Sequence, residues 1–296
     1  MAIDGMPLAI FVNPHSAGGK TIKLLPRVEQ VLDERRVEFR VQRTKGLEHG
    51  VEQALLAVEA GELPVVMSGD GLVGAIGGAM AGSETPLGIL PGGRGNDLAR
   101  VLGIPSEPEE AIDVVLGGQT RRIDVGEANG KRFLGIVSVG FDSEANRRAN
   151  ENKFLRGSLV YAWAAIVTLV KWKPARYTIR VDDERTRITG YSISVANSSC
   201  FGGGMYVAPD ALLDDGEFDV VSVGDVSKLR YVSNLPKVFK GTHVEEDEVV
   251  RVFRAKHLEL SASRPFPVYA DGEHLTELPA KLRVLPRALS VLVPGA

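Results

Sequence analysis

The chain carries a single cysteine, Cys200, in 296 residues. That scarcity excludes an intramolecular disulfide framework and a thiolate zinc cluster, and it fits a reducing compartment, so a cytoplasmic protein is expected. The five histidines show no metal-ligand spacing, and His15, His49 and His274 are not expected to build a transition-metal site. An excess of positive charge is also missing. Lys and Arg number 35 against 38 Asp and Glu, a formal charge of −3, so no global basic field is available to hold nucleic acid, and any anionic contact must be a local patch. No apolar run reaches the ~20 residues of a membrane span. The most lipophilic stretch, residues 159–170, is shorter and is bounded by Arg156, Lys171 and Lys173. The amino terminus lacks a cationic leader region, and its short apolar run before Asn13-Pro14 reads as a first buried strand rather than a signal peptide.

What is present is an ordinary globular composition, 44% hydrophobic and 25% charged, long enough for about two domains. From residue 7 to about 120, apolar runs alternate with helical segments, which predicts βα repetition and a parallel sheet. Strands are expected at 8–12, 37–42, 64–67 and 87–90, and helices near 20–35, 47–60, 72–81 and 96–102. After Arg121-Arg122 the texture becomes β-branched. Residues 123–128 and 133–139, joined through Asn129-Gly130, carry a type I′ hairpin signal. Further strands are expected at 176–182, 186–197, 217–223, 249–262 and 266–270, with helices at 154–171 and near 227–239. The predicted fold class is therefore an N-terminal α/β nucleotide-binding domain (residues 1–122) followed by a mostly antiparallel β-sandwich domain (residues 123–283). Residues 282–293 read as a final strand pair.

Three strand-to-helix loops are rich in small residues. The first, residues 13–20, contains Asn13, Ser16, Gly18 and Lys20, and suits an anion at a helix N-terminus without being a Walker A motif. The second is Ser68-Gly69-Asp70-Gly71, in which glycines turn amides toward a phosphate and Asp70 can hold a metal or order the loop. The third, residues 91–97, contains Gly93, Arg94, Gly95, Asn96 and Asp97. Each alone is equally readable as a plain turn; their convergence at the carboxyl ends of neighbouring strands predicts one crevice.

In order along the chain, these elements resemble a known family. The series is Asn13-Pro-x-Ser-x-Gly18, Thr44 with His49, Ser68-Gly-Asp-Gly71, Pro86 to Arg100 (PLGILPGGRGNDLAR), Gly202-Gly-Gly-Met205, Asp214-Asp-Gly216 and Asp271-Gly-Glu273. It is similar to the diacylglycerol and sphingosine lipid kinases. The resemblance implies a nucleotide held between an α/β domain and a β-sandwich domain, ATP phosphorylating a lipid hydroxyl, and a last segment (284–296) that returns to the first domain. It places Asn13, Ser16, Gly18, Thr44, Ser68, Gly69, Asp70, Gly71, Gly93, Arg94, Gly95 and Asn96 around ATP. It also implies a magnesium site from the main-chain oxygens of Leu212 and Glu217 and the carboxylate of Asp215, with Asp97 a structural or metal-linked acid; oxygen-only ligation suits a hard cation.

Asp271 and Glu273 occupy alternate positions and share one side if the strand stays extended; either could accept the lipid hydroxyl proton. The implied partners are the nucleotide and a lipid substrate at a membrane surface, with cytoplasmic, peripheral localisation and a homodimer left open. The apolar helix around Trp163 reads as packed core or as a lipid-facing surface with Trp172 at an interface. Three positions depart from the family pattern. Leu72 stands for threonine, Ala75 for glutamate and Arg94 for threonine. Hydroxyl and carboxylate groups are thereby lost near the nucleotide, and a cation able to grip phosphate is gained. A protein that binds nucleotide or lipid without turnover, and a kinase for a soluble metabolite similar to NAD kinases, therefore stand beside the lipid kinase.

Overall fold

The computed structural model describes residues 5–152, 158–181, 184–246 and 248–295. The chain divides into two units, one of residues 1–125 with 285–296, the other of residues 126–284. Arg156 lies outside the described residues.

The first unit is built on four parallel strands, β1 (Leu8–Val12), β2 (Phe39–Arg43), β3 (Leu63–Ser68) and β4 (Gly88–Pro91), in the order β2-β1-β3-β4. Every residue of β1, β3 and β4 is buried, as expected of a parallel sheet covered on both faces. Helices α1 (Lys20–Glu34), α2 (Leu47–Glu59), α3 (Asp70–Ala79), α4 (Asp97–Val101) and α5 (Pro108–Gly117) connect and cover them. On α1 the buried positions Thr21, Leu25, Val28 and Leu32 recur at steps of four, three and four, the period of one helix face. The chain leaves β1 toward β2 on one side and later builds β3 and β4 on the other. The point where the winding reverses, between β1 and β3, is where open α/β sheets bind ligands. The loops after both strands open there.

The second unit is antiparallel. It contains β5 (Thr120–Ala128), which enters from the first unit, β6 (Lys131–Phe133), β7 (Ile136–Gly140), β8 (Ala175–Val181), β9 (Glu184–Ala196), β10 (Phe218–Gly224), β11 (Val250–Ala255), β12 (His257–Ala262), β13 (Pro267–Ala270), β14 (Glu273–Glu277) and β15 (Ala280–Leu292). Helices α6 (Phe141–Glu151), α7 (Ser158–Lys171) and α8 (Lys228–Val238) complete it. The first half of β9 pairs with β8, while its second half lies between β7 and β10. One core gathers Tyr177, Tyr191, Phe218 and Val268 with Trp172. β15 leaves this unit and ends in the first one, where Leu87 N donates to Ser290 O and Leu292 N to Leu87 O, each at 2.9 Å. The tail is thus one long strand and not a strand pair.

Other departures have local causes. Asn129 and Gly130 both take positive φ (48° and 80°) and close the expected two-residue hairpin, but β6 stops at Phe133 and β7 restarts at Ile136. The apolar stretch 249–262 is two strands. β11 serves β10, whereas β12 lies between β8 and β15. Trp172 does not sit at an interface. It is 7% exposed, its ring 5.5 Å from Phe141 and 5.8 Å from Phe266, with the Arg264 guanidinium 4.9 Å above it.

Candidate functional site

In the first unit the three small-residue loops meet. After β1, Asn13 Oδ1 accepts from His15 N at 3.0 Å and Thr21 Oγ1 donates to Asn13 O at 2.7 Å, while Gly18 and Gly19 turn through positive φ into α1. Ser16 Oγ donates to Gly92 O at 3.4 Å, joining the first loop to the third. Gly92 N donates to Ser68 O at 2.9 Å, joining the third to the second. The approach of these backbones requires glycine: a methyl group at Gly93 would lie 2.4 Å from Gly69 Cα. Asn96, itself at φ 49°, closes the third loop by accepting from Gly93 N at 2.7 Å and donating to Gly93 O at 3.3 Å.

Behind the glycines stand two carboxylates. Asp70 Oδ1 accepts from Leu98 N at 3.2 Å, tying α3 to α4. A methyl at Gly95 would meet Asp70 Oδ2 and Asp97 Oδ2, each at 2.9 Å. Burial raises the Asp70 pKa, and the charge of Asp97 raises it further. Asp70 therefore ties the loop from within, with Asp97 buried close by. Thr44, buried at the end of β2, donates through both N (2.8 Å) and Oγ1 (3.3 Å) to Val12 O, beside the first loop. Arg94 is exposed at the tip of the third loop. Leu72 is 2% exposed and packs against α2, where a methyl at Gly50 would lie 2.7 Å from its Cδ1. The residue that departs from the family pattern thus serves helix packing.

In the second unit, Asp271 and Glu273 are separated by a turn. Asp271 (φ 51°) and Gly272 (φ 85°) form the two-residue connection between β13 and β14, in which Ala270 pairs with Glu273. The strand does not stay extended, so the two carboxylates do not share one side of it. Asp271 instead points at the chain between β6 and β7: its Oδ2 accepts from Gly135 N at 3.2 Å and Leu134 N at 3.4 Å, and its Oδ1 from Ile136 N at 3.2 Å. A methyl at Gly135 would lie 2.1 Å from Asp271 Oδ1, so a larger residue there would displace the Asp271 carboxylate. Glu273 opens β14, and desolvation raises its pKa.

The acidic loop before β10 is organised by a residue that sequence reasoning missed. Arg254 on β11 pairs with Asp215, reaches Glu217 Oε2 at 3.1 Å and lies 3.8 Å from Asp219 Oδ1. Asp219 is 5% exposed and its Oδ2 has no hydrogen-bond partner. Burial raises its pKa, helped by Asp210 and Glu217. Leu212 is exposed beside them. Asp97, the fourth residue of the expected metal set, belongs to the first unit. Among the described residues no three His, Cys, Asp or Glu side chains cluster as metal ligands.

A parallel α/β unit with glycine loops converging at its switch point, carried on one chain with an antiparallel β unit, defines a two-part fold whose first part is suited to bind an anion. Comparison with known proteins narrows it. Residues 7–128 match the diacylglycerol kinase catalytic domain, and residues 135–293 match the YegS C-terminal NAD kinase beta sandwich-like domain. The chain is 34% identical to a diacylglycerol kinase of Mycobacterium tuberculosis over 95% of its own length and 93% of that protein's. It is 32% identical to a probable lipid kinase YegS-like protein of Chromohalobacter salexigens over 83% and 80%. A crystal structure of a diacylglycerol kinase from Bacillus anthracis superposes with a TM-score of 0.73 at 19% identity, covering 98% of this chain and 97% of that one. The chain belongs to the diacylglycerol kinase family, which includes the YegS-like lipid kinases.

Proposed function

We propose that the protein transfers the γ-phosphoryl group of ATP to a hydroxyl of a lipid, of the diacylglycerol or sphingoid type, presented at a membrane surface. The observation that carries this reading is the contact of the three loops through Ser16, Gly69, Gly92 and Gly93 at the carboxyl ends of β1, β3 and β4. Backbone amides and the N-terminus of α1 favour a polyphosphate there, and Arg94 adds a cation. Phosphoryl transfer asks little covalent chemistry of a protein and much positioning. Asp271 and Glu273 supply the carboxylates for the acceptor hydroxyl: Asp271 is fixed in direction by three amides, and desolvation gives Glu273 a greater proton affinity than an ordinary carboxylate.

Magnesium bound with ATP neutralises charge on the transferred group. For a further ion, the loop of Leu212, Asp215 and Glu217 fits by donor type: it offers only oxygens, and Asp219 keeps a buried carboxylate oxygen without a partner. Arg254 already balances part of that charge, so a bound cation would share Asp215 and Glu217 with it.

Purified protein with ATP, Mg²⁺ and lipid in mixed micelles is expected to consume ATP only when an acceptor lipid is present. Asp271→Asn and Glu273→Gln are each expected to lower the rate by about 10²–10⁴, the range for loss of a positioned acid or base. ATP consumption on a soluble alcohol in the absence of detergent, with none on lipid, would overturn the lipid reading in favour of a soluble acceptor. ATP binding without consumption would support a binding protein in place of an enzyme.

A further inference from the structure

Between the end of β6 at Phe133 and the start of β7 at Ile136 the chain passes through the interior of the second unit. Leu134 and Ile136 are each 1% exposed and Gly135 is buried, so the peptide groups here have no solvent to bond and must find partners within the protein. Two side chains far apart in sequence supply them. On the amide side, Leu134 N, Gly135 N and Ile136 N donate to the Asp271 carboxylate. On the carbonyl side stands Asn197, whose Nδ2 donates to Leu134 O at 2.9 Å and whose backbone N donates to Gly135 O at 3.0 Å.

The pairing of β7 with β9 explains why an asparagine occupies this place. Their register runs as far as Ile136 opposite Ala196, and Asn197 is the next residue. Its backbone adds one more bond; where the partner chain turns away toward β6, its carboxamide provides the next donor. Asn197 is 0% exposed. Beyond it, Phe201 and Met205 exchange backbone bonds at 2.9 and 3.0 Å around the Gly202-Gly-Gly turn, and Ala208 N donates to Ser199 O at 3.3 Å, so the segment that carries Asn197 is itself fastened.

The two sides of the crossing are rigidly connected. Leu134 O and Gly135 N belong to one planar peptide unit, and Gly135 O and Ile136 N to the next. Asn197 therefore grips the oxygens of the same two planes whose N–H groups hold the two oxygens of Asp271. A plane that tilts at its carbonyl carries its amide with it.

We infer that Asn197 is a positioning residue for phosphoryl transfer, fixing through these two peptide planes the direction of the Asp271 carboxylate. The inference rests on the lipid-kinase reading, and Asn197 itself touches no reacting atom.

Lipid-dependent ATP consumption by the unaltered protein, Asn197→Ala, Asp271→Asn and the double variant tests it. Asn197→Ala is expected to lower kcat about 10- to 100-fold while the KM for ATP stays within about twofold. In the Asp271→Asn background the same change should alter kcat by less than about threefold, because the carboxylate that Asn197 directs is already gone. A role confined to stability would lower the rate by the same factor in both backgrounds. That result, or an unaltered kcat in Asn197→Ala, overturns the inference. If Asn197→Ala folds poorly by circular dichroism, Asn197→Asp, which keeps the shape and removes the amide donor, replaces it in the cycle with the same expectations. Hydrogen exchange read by mass spectrometry gives a measure independent of turnover: the amides of 134–136 should exchange faster in the Asn197 variant, and unchanged exchange also overturns the inference. Absence of lipid-dependent ATP consumption by the unaltered protein would remove the kinase reading, whereas turnover with equal losses in both backgrounds would remove only the role of Asn197.

Discussion

Glycine 93 shows how much one hydrogen atom in place of a methyl decides here. Its neighbours are Gly69 Cα and Asn96 Oδ1, at 2.4 and 2.8 Å from where a Cβ would stand. Gly93→Ala must push backbone against backbone, at a cost of about 1–3 kcal/mol in stability. Calorimetric ATP titration should show weakened binding, because the amides proposed to face the nucleotide move with the loop. A variant that binds ATP like the wild type would detach this loop from the nucleotide. Asp142 offers a second test through pH. Its folded pKa lies above the ordinary value of 3.8, so the native state holds this proton more tightly than the unfolded chain. Stability therefore falls as pH rises from that ordinary value to the raised one, and above it the buried charge remains a constant penalty. Asp142→Asn is expected to flatten melting temperature against pH across that window and to raise it at neutral pH; a steeper curve would mean that the carboxylate is paired by a cation.

At the scale of elements, the acidic loop and β11 form a charge-balanced unit. Arg254 faces Asp215, Glu217 and Asp219, so Arg254→Ala leaves three acids together. The variant should melt below the wild type without Mg²⁺ and recover a larger share of its stability than the wild type when Mg²⁺ is added, which thermal denaturation across a magnesium series reads directly. Identical magnesium responses would place the ion elsewhere.

Elements also differed in how legible they were. β1 was readable to the residue because a fully buried run ends at Asn13-Pro14, and the glycine loops were readable because turn chemistry is local. α6 was hidden: of its residues only Phe141, Ser143 and Ala149 are buried, and its Asn- and Arg-rich remainder carries no apolar period. α5 did announce itself, with Pro108 in its first turn, Glu109 and Glu110 beside it and Gly118 in the left-handed conformation at its end, yet it is absent from the expected helices. Asp271-Gly272 carried the same type of hairpin signal as Asn129-Gly130. Reading the two carboxylates as neighbours on an extended strand, with a plain acidic hairpin turn as the alternative, gave that signal too little weight.

At the scale of the molecule, the family and the two-part α/β and antiparallel-β architecture follow from features that are local in sequence: βα alternation, then β-branched runs with tight turns. What no local feature reveals are pairings across long separations. Arg254 meets its acids from another strand, Asp271 reaches the amides of 134–136, and a cavity behind α7 and α8 is lined by residues from 136 to 250. These depend on tertiary closure, in which each side chain's partner is set by sheet order rather than by spacing.

The claim on which the account depends is that loops of the first unit and carboxylates of the second serve a single reaction. Incubating the protein with γ-labelled ATP, Mg²⁺ and diacylglycerol in mixed micelles, and identifying the product by mass, tests it most directly. The account predicts label in phosphatidic acid, reduced in the Gly93→Ala and Glu273→Gln proteins alike. Label that persists undiminished in either variant, or none in any lipid from the unaltered protein, would contradict it.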